Sequence, residues 1–157
     1  MNLRIGQGID FHRLEKGLNL WLGGVLIPSE KGCVAHSDGD VLLHAICDAM
    51  LGAAGLGDIG HHFPDTNPEF KNIDSKILLK RTFELVKKKG YSLINTDSTV
   101  CLEKPRIAAV IPEMRSVIAV ILETSPENIS IKATTAEKMG FIDVSISVSI
   151  LPIGGHI

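Results

Sequence analysis

The chain has 157 residues, 45% hydrophobic and 4% aromatic, with a formal net charge of -2. That length suits one domain spanning 1–157 with a core of its own. The charge excludes the basic footprint of nucleic-acid binding, and no run of about 18 apolar residues is present to form a membrane helix. A mean hydropathy of +0.22 is high for a soluble chain this small, and surplus apolar surface predicts burial between subunits. Cys33, Cys47 and Cys101 are odd in number and lack CxxC spacing, which predicts a reducing, cytoplasmic setting. A first strand starting almost at Met1 leaves no room for a signal or transit peptide.

Residues 2–9 read as a strand that leads into Asp10-Phe11-His12. Leu3, Ile5, Ile9 and Phe11 fall on one face; Gly6, Gly8, Asp10 and His12 fall on the other. The glycines clear the face that carries Asp10 and His12, so something can approach the backbone closely there. Leu20-Trp21-Leu22 and Val25-Leu26-Ile27 flank Gly23-Gly24, the signal of a β-hairpin.

A helix is predicted over 39–54, with Ser37, Asp38 or Asp40 as its cap. Its apolar residues surround it, so it should be largely buried. One polar stripe interrupts them: Asp40, His44 and Asp48, four residues apart. A polar stripe on a buried helix needs partners. The glycine-rich stretch 57–68 reads as a functional loop. Asp74 or Ser75 caps a second helix to about Lys89. A strand centres on 98–102, and Pro105 opens a short turn or helix. A third helix starts at Pro112, and Asn128 to Ala133 is a strand. A polar turn follows over 134–140, and Val144 to Leu151 closes the fold as a strand. The order gives an α/β (α+β) sandwich: a mixed sheet with helices on one face, the other face packed against further copies of the chain.

Asp10, His12 and His44 make a His/His/carboxylate set, which leaves one tetrahedral position open, the pattern of a reactive zinc. Without a metal, His44 is a hydrogen-bonded helix histidine and Asp10 a loop cap. His61 and His62 compete as ligands, but adjacent side chains diverge. His36-Ser37 precedes the helix start, where a phosphate could meet exposed amides; ordinary capping by Ser37 is the alternative. Asp58 and Asp65 bind hydroxyls or stabilise loop turns. Lys132, Thr134, Thr135, Glu137 and Lys138 offer an anion and cation site, or a solvated turn.

Five stretches resemble the 2-C-methyl-D-erythritol 2,4-cyclodiphosphate synthase family: 4–12, 35–44, 51–60, 63–66 and 132–141. The likeness runs in order from residue 3 to about 141. It implies a cytosolic homotrimer with active sites between subunits. The family converts 4-diphosphocytidyl-2-C-methyl-D-erythritol 2-phosphate to the cyclic diphosphate with release of CMP, in non-mevalonate isoprenoid biosynthesis. By resemblance, Asp10, His12 and His44 hold Zn²⁺, and Glu137 places Mg²⁺ or Mn²⁺ on the substrate diphosphate. His36 and Thr135 stabilise the transition state. Ser37, Asp58, Ile59, Gly60, Phe63, Pro64, Asp65, Thr66 and Asn67 line the methylerythritol phosphate pocket. Leu102, Glu103, Lys104, Pro105, Arg106, Ile107 and Ala108, with Thr134 and Thr135, hold the cytidine diphosphate, and Phe141 belongs to the same substrate set. Arg106 stands where the family often has Lys, which differs in geometry. After Phe141 the chain departs from the family: no Arg or Glu follows Lys138. That leaves open whether an isoprenoid diphosphate binds on the trimer axis. Two other readings remain at this stage: a non-catalytic trimer binding nucleotides or isoprenoid diphosphates, and a zinc-dependent phosphohydrolase.

Overall fold

The computed structural model describes residues 2–139 and 144–155; Phe141 lies outside the described residues. The first strand, β1 (Asn2–Lys16), is longer than the alternation of 2–9 suggests. It pairs antiparallel with the last strand, β8 (Val144–Gly155), from Asn2↔Gly155 to Arg13↔Val144. The hairpin forms as expected: β2 (Leu20–Leu22) and β3 (Val25–Ile27) pair around Gly23-Gly24, both at positive φ. β4 (Lys31–Cys33) then pairs with the far end of β1. Three residues give too short a period to be visible in the sequence.

Helix α1 (Val41–Ala54) has eleven buried residues. Asp40 is its cap, accepting from Leu43 N at 3.0 Å. A short α2 (Ile59–His62) interrupts the glycine-rich loop. Helix α3 (Ser75–Lys88) is capped by Asp74, and buries Leu78, Leu79, Thr82, Phe83 and Val86. β5 (Tyr91–Leu93) pairs with β8, and β6 (Thr96–Cys101) lies between β8 and β7 (Ile129–Thr134). Helix α4 (Ile111–Ile121) starts one residue before Pro112. The main sheet runs β4-β1-β8-β6-β7, with β5 beside β8. β6 and β7 are parallel and their other neighbours antiparallel, so the sheet is mixed.

The even face of β1 packs directly on α1. A Cβ built on Gly8 would overlap the carbonyl oxygen of Ala45, and one on Gly6 that of Ala49. The close approach anticipated at these glycines is that of the chain's own helix. It carries Asp10 and His12 up against His44. The odd face stays uncovered: Leu3 is 53% exposed, Ile5 69%, Ile9 45% and Phe11 56%. Fully burying an aliphatic side chain is worth about 1.5–3 kcal/mol, so this stripe is a large unmet driving force in a single chain.

Candidate metal and nucleotide site

Each member of the polar stripe on α1 has a partner. Asp40 is fully buried and accepts from Gly23 N at 2.9 Å and Gly24 N at 2.7 Å, pinning the hairpin turn to the helix. Burial pushes its carboxyl up despite these amides. Asp48 accepts from Ile59 N at 2.7 Å and so anchors α2. Its carboxyl is also pushed up, first by burial and then by the charges of Asp58 and Asp10, against the pull of the Ile59 amide.

His44, the middle member, faces the sheet. Its Nδ1 lies 3.0 Å from Asp10 Oδ2, and the same oxygen lies 3.5 Å from His12 Nε2. The two imidazoles meet edge to face, centroids 5.3 Å apart. One ligand atom from each of Asp10, His12 and His44 falls within 4.8 Å of the others. Burial opposes charge on both members of the central pair, but their mutual attraction wins. Asp10 is held below the usual carboxylate range by the His44 hydrogen bond and the fields of His12 and His44. His44 is raised by Asp10, Asp40 and Asp38.

The donor set fits a metal ion on an observation independent of spacing. His12 Nδ1 sits 2.8 Å from the Phe11 carbonyl. A carbonyl only accepts, so Nδ1 carries the proton and Nε2 keeps its lone pair. That Nε2 is buried and has no hydrogen-bond partner among the described residues. A buried acceptor without a partner costs about 1–3 kcal/mol, and a cation facing Asp10 removes that cost. Two histidines and one carboxylate with a position left open is the ligand set of a reactive zinc.

The other expected residues divide into groups. Ser37 Oγ lies 3.2 Å from His44 Nε2, at the edge of the metal cluster. His36 is exposed next to it. At the start of α1, Val41, Leu42 and Leu43 are wholly buried and the Asp40 carboxylate takes the Leu43 amide. Asp58 caps α2, accepting from His61 N at 2.9 Å. Phe63, Pro64, Asp65, Thr66 and Asn67 continue from that helix as a partly exposed loop. His61 and His62 stand edge to face, and His62 Nε2 contacts the Leu56 carbonyl at 2.8 Å; neither joins the cluster.

The expected cytidine residues gather elsewhere. Residues 102–108 and 133–135, with Lys138, line a cleft of about 1190 Å³. Leu14 and residues 28–31 complete its wall; the sequence marks them only as strand ends, so no signal in it points to this role. Glu103 has a second task. Its Oε1 accepts from Ala136 N at 2.7 Å and Lys138 N at 3.3 Å. That holds a turn in which Glu137 and Lys138 both have positive φ, 52° and 61°, a conformation costly for side-chain-bearing residues. Within the turn Thr135 Oγ1 donates to Glu137 Oε1 at 2.7 Å. Lys132 is engaged with Asp97 Oδ2 at 2.7 Å, which lowers the Asp97 carboxyl, so it is a strand-pairing cation and not part of this turn. None of Asp10, His12 and His44 lines the cleft.

The YgbB family model matches residues 3–151. The chain belongs to the 2-C-methyl-D-erythritol 2,4-cyclodiphosphate synthase (YgbB) family. The synthase of that name from Bacteroides fragilis is 56% identical over 141 residues, covering 90% of this chain and 89% of the relative. A solved synthase structure in its CDP-bound form superposes with a TM-score of 0.91 at 34% identity, over 96% of this chain and all of that one. The bifunctional IspDF of Campylobacter jejuni superposes with a TM-score of 0.95 at 41% identity. There the match covers 99% of this chain and 43% of that longer protein. Among the described residues, no helix is long and apolar enough to cross a membrane.

Proposed function

We propose that this YgbB-family chain cyclises 4-diphosphocytidyl-2-C-methyl-D-erythritol 2-phosphate, releasing CMP; its relatives are named 2-C-methyl-D-erythritol 2,4-cyclodiphosphate synthase, and one solved structure of that name is the CDP-bound form. The observation that carries the site assignment is the convergence of Asp10, His12 and His44 with a buried His12 Nε2 that has no hydrogen-bond partner among the described residues. These three residues would hold Zn²⁺, and Glu137 would hold Mg²⁺ or Mn²⁺ on the diphosphate. Bound zinc supplies a Lewis acid for a phosphate oxygen.

The chain's residues have only positioning and charge work to do. The nucleophile is the substrate's own 2-phosphate, whose second pKa near 6 leaves it ionised at neutral pH. One of its oxygens attacks the β-phosphorus; the bond from that phosphorus to the CMP oxygen breaks, and CMP departs as a stable anion. No proton has to be removed, consistent with a site rich in ligands and donors. Ser37, Asp58, Ile59, Gly60 and the loop 63–67 hold the methylerythritol phosphate. Residues 102–108 with Thr134 hold the cytidine diphosphate, and Phe141 is assigned to the substrate by resemblance. His36 and Thr135 donate to the transferring phosphate.

The active site is shared between copies of a homotrimer in this reading. Two observations favour it. The metal cluster and the lining of the cytidine cleft share no residue within one chain. The stripe Leu3, Ile5, Ile9 and Phe11 needs a cover. A single domain over 1–157, working in the cytosol, completes the proposal.

Phosphorus NMR of the protein with this substrate and Mg²⁺ tests the reaction. Cyclic diphosphate plus CMP is expected. Linear phosphate products would instead mean a hydrolase, and unchanged substrate a binding protein.

A further inference from the structure

Ser75 is wholly buried at the first position of α3, yet the helix does not need its hydroxyl. Asp74 already caps the helix, accepting from Lys76 N at 2.8 Å. The Ser75 Oγ instead lies 2.8 Å from His44 Nε2. On its other side it donates to Asp38 Oδ1. Asp38 is itself fixed by Ser75 N at 2.8 Å and Asp40 N at 3.1 Å. Two segments distant in sequence, 38–44 and the start of α3, thus meet in one line: carboxylate, hydroxyl, imidazole.

The direction of every hydrogen in this line follows from the acceptor at its end. The Asp38 carboxylate can only accept, so the Ser75 proton is committed to it. Ser75 Oγ then has only lone pairs to offer His44, and Nε2 must be protonated. Nδ1 faces Asp10 and donates to it while no metal is bound; with the Nε2 proton committed to Ser75, Nδ1 is the nitrogen free to give up its proton and bind a metal. We infer that Asp38 and Ser75 are positioning residues for the metal: they select the His44 tautomer that binds through Nδ1 and pass negative charge to the ring. This rests on the zinc reading of the Asp10, His12 and His44 cluster. Outer partners of this kind fix ring orientation, raise ligand basicity, and typically change metal affinity or activity about tenfold to a hundredfold.

His12 shows the same device in a simpler form, with the Phe11 carbonyl in place of the serine. The difference is that a main-chain carbonyl cannot be deleted, whereas the Ser75 hydroxyl can. Ser37 Oγ, at 3.2 Å from the same Nε2, is the more distant partner, against 2.8 Å for Ser75 Oγ.

The test is zinc titration of the full chain against a competing chelator, for wild type, Ser75→Ala, Ser75→Thr and Asp38→Asn. Wild type takes up one zinc per chain. Ser75→Ala should bind about tenfold to a hundredfold more weakly. Asp38→Asn should weaken in the same direction, and Ser75→Thr, which keeps the hydroxyl, should remain close to wild type. A serine needed only for folding would lower the unfolding temperature and leave the affinity of the folded molecules unchanged. Proton NMR of the zinc-loaded protein adds a second reading. The His44 Nε2 proton should exchange slowly in wild type and rapidly in Ser75→Ala. Wild-type affinity and a protected Nε2 proton in Ser75→Ala, or wild-type affinity in Asp38→Asn if Ser75→Ala does not fold, would overturn the relay alone. A wild-type protein that takes up no zinc would overturn the metal reading and the relay with it.

Discussion

His44 Nδ1 lies 3.0 Å from Asp10 Oδ2, although 34 positions separate the two residues. The contact exists because Gly8 lets β1 lie directly on α1. It raises the His44 pKa above 6.5 and lowers that of Asp10 below 3.8, even though burial opposes charge on both.

The pair should give the metal-free and zinc-loaded proteins opposite pH slopes. A raised histidine stabilises the fold fully below its unfolded value of 6.5 and loses that contribution as pH rises through the raised native value. Metal-free protein should therefore lose stability above pH 6.5. Zinc needs the ring neutral, so zinc-derived stability should grow over the same interval. The Asp10 contribution is present above 3.8 and fades only as pH falls through its lowered value. Thermal unfolding from pH 5 to 9, with and without zinc, measures this; parallel slopes would count against the assignment.

Gly8→Ala should disrupt the site without touching a ligand. The new Cβ would meet the Ala45 carbonyl and, at 2.7 Å, the Ala49 amide. Backbone cannot swing aside as a flexible side chain can, so the cost should be about 1–3 kcal/mol or more. Zinc affinity should fall as well, because Asp10 moves away from His44. Denaturant unfolding of the metal-free protein checks the first effect, and an unchanged midpoint would contradict the packing described.

Asp48 should matter through the loop it holds. Asp48→Ala removes the 2.7 Å acceptor for Ile59 N and should cost about 1.5–3 kcal/mol, since the acceptor is charged. It should also lower kcat/KM, because Asp58, Ile59 and Gly60 lose their anchor. Asp48→Asn keeps an acceptor and discards a charge that burial disfavours, so it should retain both fold and turnover. Steady-state kinetics beside melting curves separate the two; equal losses in both variants would mean that the charge itself is used.

Mixing dead proteins tests the proposal that the active site is shared between copies of a trimer. His44→Ala damages the metal half and Thr135→Ala the nucleotide half. Trimers reassembled from equal amounts should recover roughly a quarter of the sites, those with two intact halves. If both variants are inactive alone and the mixture stays inactive after exchange, the site belongs to one chain.

The sequence made some of this legible and hid the rest for physical reasons. Alternation in 2–9 separates the faces of β1, and the Gly23-Gly24 turn marks the hairpin, because both are local patterns. The stripe Asp40, His44 and Asp48 announces that partners are needed but cannot name them. Those partners are Gly23 and Gly24, Asp10 and Ser75, and Ile59. They are set by how β1, the hairpin, α2 and α3 pack on α1, which no local period encodes. Asp38 and Ser75 read in sequence only as cap candidates for two different helices, and the contacts Asp38–Ser75 and Ser75–His44 show otherwise. The short strands β4 and β5 were hidden because three residues carry too little alternation to register. Phe141 and its neighbours through residue 143 lie outside the described residues.

The most direct test is the zinc dependence of the reaction itself. Protein stripped with a chelator and supplied with substrate and Mg²⁺ should form no cyclic diphosphate by phosphorus NMR. Adding zinc to one equivalent per chain should restore cyclic diphosphate and CMP in wild type but not in His44→Ala. Full cyclisation by zinc-free protein, or by His44→Ala, would contradict the account.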